Sequence, residues 1–173
     1  MKNKKTLFIV QSALIAAMYA AATYFASMLN LAYGQVQFRI SEALTVLSVF
    51  TPAAIPGLTI GCVIGNLGSP YGVVDIVLGS LATLLAAILT RMSRNIRFKE
   101  IPFLAPLPPV LANALIVGAE IAYFLPEGMT WAGFFGSAVS VGLGELVVCY
   151  ALGLPLIVLL EKTKVSKRLF AEG

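Results

Sequence analysis

The chain has 173 residues, 59% of them apolar and 12% charged, with a formal net charge of +4 and a mean hydropathy of +0.92. That balance excludes a soluble domain and makes residues 1–173 a single integral membrane domain, with no polar stretch long enough to fold beside it. The basic residues lie in short runs flanking apolar segments, so lipid headgroups and membrane topology account for them, and nucleic acid is excluded as a partner.

After Lys2, Lys4 and Lys5, a first helix is expected over residues 7–29. Its apolar run is too long for the core of a signal peptide and long enough to span a bilayer. Small residues recur on it every four positions, at Ala13, Ala17 and Ala21, with Ser12, Ala16 and Ala20 beside them. Such a stripe admits the close approach of another helix, and packing within the chain is its simplest use. Residues 30–39, NLAYGQVQFR, form a polar loop in which Tyr33, like Trp131 further on, has the character of an interfacial anchor. The stretch over 37–65 is apolar but opens with Arg39 and Glu42 and is broken by Pro52 and Pro56. As one helix it would extend ~40 Å against a hydrocarbon core of ~30 Å; as a hairpin reversing at Thr51-Pro52 it forms short helices over 40–50 and 53–67. Gly57, Gly61 and Gly65 give the second arm a small-residue stripe of its own. In LGSPY, Ser69 is placed to cap a fourth helix reaching Thr90, with Pro70 in its first turn. The loop RMSRNIRFKE follows, APLPPV opens a fifth helix reaching Phe124, and after LPEGMTW a last helix covers 133–160.

Charge decides for the hairpin. Of twelve Lys and Arg, three lie at the N-terminus, four within 91–99 and four within 162–168, with Arg39 apart. Two passes through 40–67 put all three clusters on the cytoplasmic side, whereas one pass would place 91–99 outside, against the positive-inside rule. The expected fold is therefore an all-α integral membrane bundle of six transmembrane helices with short second and third helices. Both termini are cytoplasmic in a multi-pass protein of the cell membrane. Interrupted segments of this kind are tolerated where they are buried in protein or line a cavity.

Glu100, Glu161 and Glu172 fall on the cytoplasmic side and Glu127 in an outer loop. Glu42, Asp75, Glu120 and Glu145 remain in or beside apolar helices, with Arg39, Asn66 and Asn113. A charge at the centre of a membrane helix costs ~2.5–3.5 kcal/mol on insertion scales, so such a set calls for partners or a function. Arg39 and Glu42 are spaced to pair with each other at a helix start, dipole stabilisation accounts for Asp75, and Asn66 has the position of a cap. Glu120 and Glu145 have no such structural role and are the leading candidates to bind a ligand. Asn113 and Glu120 share a helix face, with Tyr123 near it. The acids and amides stop short of the cytoplasmic third, which describes a cavity open outside and closed below. Cys62 and Cys149 sit inside apolar segments, histidine is absent, and no metal or cofactor motif is present.

The strings FRISEALTVL, FTPAAIPGL, DIVLGSLATLLAA and APLPPVLANALIVG resemble the QueT family over most of the chain. Those are substrate-binding S-components of energy-coupling factor (ECF) transporters associated with queuosine precursors. The resemblance implies a six-helix fold, a small-molecule substrate held near the outer face beneath the first loop, a transmembrane coupling subunit and two ATPase subunits. It also implies that Ala13, Ala17 and Ala21, matching the AxxxAxxxA of such subunits, form the docking face toward the coupling subunit. The substrate set expected from the residues themselves is Glu145, Glu120, Asn113, Glu42, Arg39, Asn66 and Tyr123. The chain has no P-loop and so does not hydrolyse ATP itself, and it lacks the motifs of an intramembrane enzyme. The alternative is a stand-alone proton-coupled carrier using Glu120 and Glu145 as relays, which requires a polar path to the cytoplasm as well.

Overall fold

In the computed structural model, residues 4–33, 37–99 and 101–163 are described. Lys2, Glu100, Glu172 and the basic residues Lys164, Lys167 and Arg168 lie outside them. The helices are α1 (Lys4–Met28), a 3-10 helix (Ile40–Val49), α2 (Ala54–Gly65), α3 (Val73–Met92), α4 (Leu107–Tyr123), α5 (Trp131–Val148) and α6 (Leu154–Lys162). A π-helical turn, Cys149–Gly153, joins the last two into one continuous helix, Trp131–Lys162. Among the described residues β-structure amounts to one isolated bridge, Phe98 with Ile101. Three helices are long and apolar enough to cross a membrane by length and composition: Lys4–Met28, Val73–Asn95 and Trp131–Lys162. Ile40–Val49, Ala54–Gly68 and Leu107–Tyr123 are shorter apolar helices.

The reversal at Thr51-Pro52 sits beside the start of α1. Ser12 Oγ donates to the Ala53 carbonyl at 2.9 Å, and Thr51 Oγ1 donates to Gln11 Oε1 at 3.1 Å. The same end of the bundle holds Arg91, which donates to the Ser48 carbonyl at 3.2 Å, and the Arg97–Glu161 ion pair at 2.8 Å. We refer to it as the basic end. The opposite end holds Arg39, Asn66 and Asp75.

α1 and α2 run parallel and meet at backbone distance. A Cβ added at Gly57 would stand 2.7 Å from the Ser12 carbonyl, and one at Gly61 would stand 2.7 Å from Tyr19 Cβ and 2.8 Å from the Ala16 carbonyl. The glycine stripe is thus used against Ser12, Ala16, Tyr19 and Thr23, all buried on α1. In a bilayer, where lipid tails are as apolar as Leu, such close packing is the main attraction available between helices.

The 3-10 helix is the axis of the bundle, with eight of its ten residues buried. α1, α2, α3, α6 and the π turn pack around it, while α4 lies across from it on α3 and α5. Leu47 joins Ile15, Tyr19 and Leu58 in one apolar cluster, and Val46 and Val49 join Ile157 in another. Val117 and Ile121 of α4 pack with Ala82 and Val141 in a third. Where an α-helical arm of ~16 Å was expected, the tighter helix with its rise of ~2.0 Å per residue reaches ~20 Å.

Two local expectations are corrected. Ser69 does not cap α3: its Oγ accepts from Tyr71 N at 3.2 Å within the preceding turn, and α3 begins only at Val73, after Gly72 with φ of 63°. The last helix is also not uniformly α. Pro155 lacks the N–H that would bond to the fourth residue back and its ring crowds that carbonyl, and the ladder widens into the π turn just before it.

Candidate functional site

Three residues per turn bring side chains at i and i+3 into line. Along RISEALTVLSVFT this aligns Arg39, Glu42, Thr45 and Ser48 on one face of the 3-10 helix, all of them buried. The period-three spacing is visible in the sequence, yet the α-helical expectation hid it, and Thr45 and Ser48 were missed as members of the site for that reason.

Arg39 is closed into a network at the end away from the basic loops. Its Nη2 donates to Asn66 Oδ1 at 3.0 Å and to both oxygens of Asp75 at 3.2 and 3.1 Å, and its Nε donates to the Ala32 carbonyl at 3.2 Å. Asn66 Nδ2 donates to the Asp75 backbone carbonyl at 2.9 Å. Gly79 leaves room for this cluster: a Cβ there would fall 2.5 Å from Asn66 Nδ2 and 2.7 Å from Asp75 Oδ1. Arg39 therefore pairs with Asp75, while Glu42 has different partners. The Glu42 carboxylate accepts from the hydroxyls of Tyr19, Thr83 (3.1 Å) and Thr45 (3.0 Å). Three donors occupy its two oxygens, so this acid, fully buried, is stabilised by charge-assisted hydrogen bonds where a counter-ion would otherwise be needed.

A second group of buried polar atoms has no hydrogen-bond partner among the described residues. It comprises both carboxylate oxygens of Glu120, both amide atoms of Asn113, Glu145 Oε1, Ser80 Oγ, Ser48 Oγ and Arg39 Nη1. The other oxygen of Glu145 accepts only a weak contact from Cys149 Sγ at 3.7 Å. Glu120 lies within electrostatic reach of Asp75 and Arg39, and Glu145 within reach of Glu42 and Arg39. Apart from Ser48 at the basic end, the unpartnered groups thus come from α4, α5, α3 and the head of the 3-10 helix. Native proteins bury few polar groups without partners, because each costs ~1–3 kcal/mol and more when charged. Water or a ligand with donors for the acids and acceptors for the arginine would satisfy this set.

The loop before Arg39 comes down onto α5. A Cβ at Gly144 would overlap the Gln37 carbonyl, so the bare helix surface at this glycine, next to Glu145, is what admits the loop backbone. Tyr33 is anchored from below by its hydroxyl, which donates to the Gly65 carbonyl at 2.6 Å, and its ring lies under Arg39 with the centroid 5.7 Å from Cζ. Of the residues expected together, Arg39, Glu42, Asn66, Asn113, Glu120 and Glu145 are all buried, and Tyr123 is not. It is 67% exposed and packs edge-on against Phe124, because at the last residue of α4 it has already turned off the face that carries Asn113 and Glu120. The polar residues also reach further than the acids and amides suggested: Thr45 and Ser48 continue the stripe from Glu42 to Arg91 at the basic end.

The family model described as QueT transporter matches residues 9–162. A relative, the queuosine precursor transporter QueT of Lactococcus lactis subsp. cremoris (strain MG1363), is 39% identical over 100 residues. The match spans 58% of this chain and 58% of the relative's length. No solved structure matches the chain. The family match begins in α1 and ends at the last residue of α6, so it takes in both polar networks and every helix around them. The chain belongs to the QueT transporter family.

Proposed function

We propose that this chain is the substrate-capture subunit of an ECF-type importer, taking up a queuosine precursor, queuine or a related deazaguanine, from the outer face. The observation that carries the reading is the unpartnered, buried set of Glu120, Asn113 and Glu145 in a member of this family. A guanine-like base presents adjacent N–H donors beside a carbonyl acceptor. A carboxylate accepts two such donors at once, and an amide serves either kind of group. Precursors with an aminomethyl arm are cationic, and among the described residues the interior carries four acids, Glu42, Asp75, Glu120 and Glu145, against one base, Arg39. One of Glu120 and Glu145 reads the base edge and the other faces the amine, while Arg39, Glu42 and Asn66 frame the pocket.

In this reading the bundle crosses the cell membrane six times with both termini cytoplasmic, and α1 docks on a transmembrane coupling subunit served by two ATPase subunits. Ala13, Ala17 and Ala21 are exposed while Ser12, Ala16, Tyr19 and Ala20 are buried, which leaves the alanine stripe available to a partner. The test is titration of the purified protein with queuine, its aminomethyl precursor and guanine. Wild type prefers the deazaguanines, and Glu120→Gln and Glu145→Gln each weaken them by about tenfold or more, the loss expected when an acceptor becomes an unpaired donor. Undiminished binding in both variants removes the carboxylates from the pocket. No binding by wild type removes the ligand class.

A proton-coupled carrier is the second reading. It is favoured by Thr45 and Ser48, which extend the buried polar stripe toward the basic end. Uptake that survives in cells lacking every coupling module would select it.

A further inference from the structure

The arginine at the head of the 3-10 helix is held from several sides and yet is incomplete. Nε is taken by the Ala32 carbonyl, Nη2 by Asn66 and Asp75, and the guanidinium lies over the Tyr33 ring. Nη1 carries two N–H groups, is buried, and has no hydrogen-bond partner among the described residues. A guanidinium cannot shed its proton to relieve this, and its planar fork fixes where the free N–H groups point once the other two nitrogens are bonded. Gly79, whose added Cβ would stand 3.6 Å from Nη1, gives that nitrogen a neighbour without a side chain. Both acids of the unpartnered set lie in its field.

The geometry points to Arg39 as a specificity-determining residue: we propose that Nη1 donates to the ring carbonyl of the bound base, so that the site selects oxo bases over amino bases. This rests on the deazaguanine reading above and sharpens it. Carboxylates offer only acceptors, so Glu120 and Glu145 satisfy the N–H groups of the ligand and cannot read its carbonyl. The other unpartnered donors among the described residues are the Asn113 amide and the Ser48 and Ser80 hydroxyls, and no bond fixes which way any of these points. Arg39 is pre-organised: it meets a carbonyl oxygen without reorientation and meets an amino group donor against donor. A site built to bond a particular polar group rejects an analogue lacking it far more strongly than an apolar pocket rejects a change of shape.

The experiment compares three ligands on the purified full chain: deazaguanine, the deaza analogue of diaminopurine, in which an amino group replaces the carbonyl, and the deaza analogue of aminopurine, in which hydrogen does. Both analogues lose the ring N1–H together with the carbonyl. Wild type should therefore bind the oxo base more tightly than either by ~10–100-fold for the carbonyl contact, the range of a single charge-assisted hydrogen bond, and by a further factor for the N–H read by a carboxylate. Arg39→Lys keeps a cation beside Asp75 but loses the fork, and should lower that ratio by about tenfold or more, leaving the part that belongs to the ring N–H. Asn113→Leu should preserve the wild-type ratio. A ratio is read on one protein preparation, so a general loss of structure does not mimic the effect. Equal binding of the three ligands by wild type, or a wild-type ratio in Arg39→Lys, overturns the role of Arg39 and leaves the deazaguanine reading standing. If Arg39→Lys does not fold, Asn113→Leu and Ser80→Ala decide: a wild-type ratio in both supports Arg39, and a lowered one moves the carbonyl to the residue changed. Failure of wild type to bind any of the three overturns both the ligand reading and this assignment.

Discussion

Gly61→Ala is the sharpest test of how the first two α-helices are joined. In a helix interior the replacement of Gly by Ala is worth ~0.8–1 kcal/mol of propensity in favour of the variant. At Gly136 on α5 an added Cβ meets nothing within 4 Å, so Gly136→Ala reports this gain alone. At Gly61 the new methyl stands 2.7 Å from Tyr19 Cβ and 2.8 Å from the Ala16 carbonyl. Ordinary carbon contacts begin near ~3.5 Å, so α1 must retreat by up to ~1 Å, and a gap of that size forfeits a quarter to a half of each contact well along the seam. The retreat also strains the Tyr19–Glu42 bond, which is made from the same turn of α1. Overpacking of this kind costs ~1–3 kcal/mol. The expected outcome is that Gly61→Ala unfolds more easily than Gly136→Ala by ~1–3 kcal/mol. Equilibrium unfolding in mixed micelles of dodecyl maltoside and SDS, followed by helical circular dichroism, measures the difference. Two variants of equal stability would refute the backbone-distance packing of α1 on α2.

Other perturbations separate the remaining claims. Asp75→Asn leaves the buried Arg39 without a counter-ion and should destabilise by ~3–5 kcal/mol, with recovery of part of that loss in the Arg39→Gln/Asp75→Asn double variant; full additivity of the two single changes would argue against the pair. Ala17→Leu, on the exposed face of α1, should leave the unfolding midpoint and ligand binding of the isolated protein unchanged while uptake in cells falls. If binding fell with uptake, the stripe would serve internal packing. Ser93→Cys and Glu127→Cys, each in a background without Cys62 and Cys149, should label from opposite sides of intact cells. Labelling of Ser93→Cys from outside would overturn the six-pass topology.

Much of this arrangement was legible before any coordinates. The reversal at Thr51-Pro52 followed from the basic clusters, and the helix limits followed from apolar runs and prolines to within a few residues. Which small-residue stripe of α1 faces inward was not legible, because Ser12–Ala16–Ala20 and Ala13–Ala17–Ala21 carry the same spacing. The choice is made by the larger residues interleaved with the first set, Ile15, Tyr19 and Thr23, which find partners on α2 and the 3-10 helix. The 3-10 geometry escaped because helical runs of that type rarely exceed a single turn, so the period of Arg39, Glu42, Thr45 and Ser48 did not register as a pattern. Pairing of Arg39 with Asp75 was equally hidden: Glu42 stood three residues away and Asp75 thirty-six, and only the fold brings the distant one closer. For the π turn, the run Gly153-Leu154-Pro155 was a readable signal.

A segment like the 3-10 helix also constrains how the protein is made. The five branched apolar residues from Ile40 to Val49 each favour lipid by only ~0.3–0.6 kcal/mol, and Glu42 within the segment and Arg39 at its head both oppose entry. Left to itself, it does not partition out of the translocon. The groups that neutralise it arrive at different times during synthesis: Tyr19 precedes Glu42 by 23 residues, whereas Asp75 follows Arg39 by 36 and Thr83 follows Glu42 by 41. At elongation rates of roughly 5–20 residues per second, the segment waits for seconds after α1 has been released before α3 supplies its remaining partners. In the six-pass reading, the expected outcome is that biogenesis runs out of chain order, with the 3-10 segment entering only once α3 has been made. A nascent chain arrested before residue 75 should hold α1 in the membrane and leave the 3-10 segment accessible to aqueous reagents.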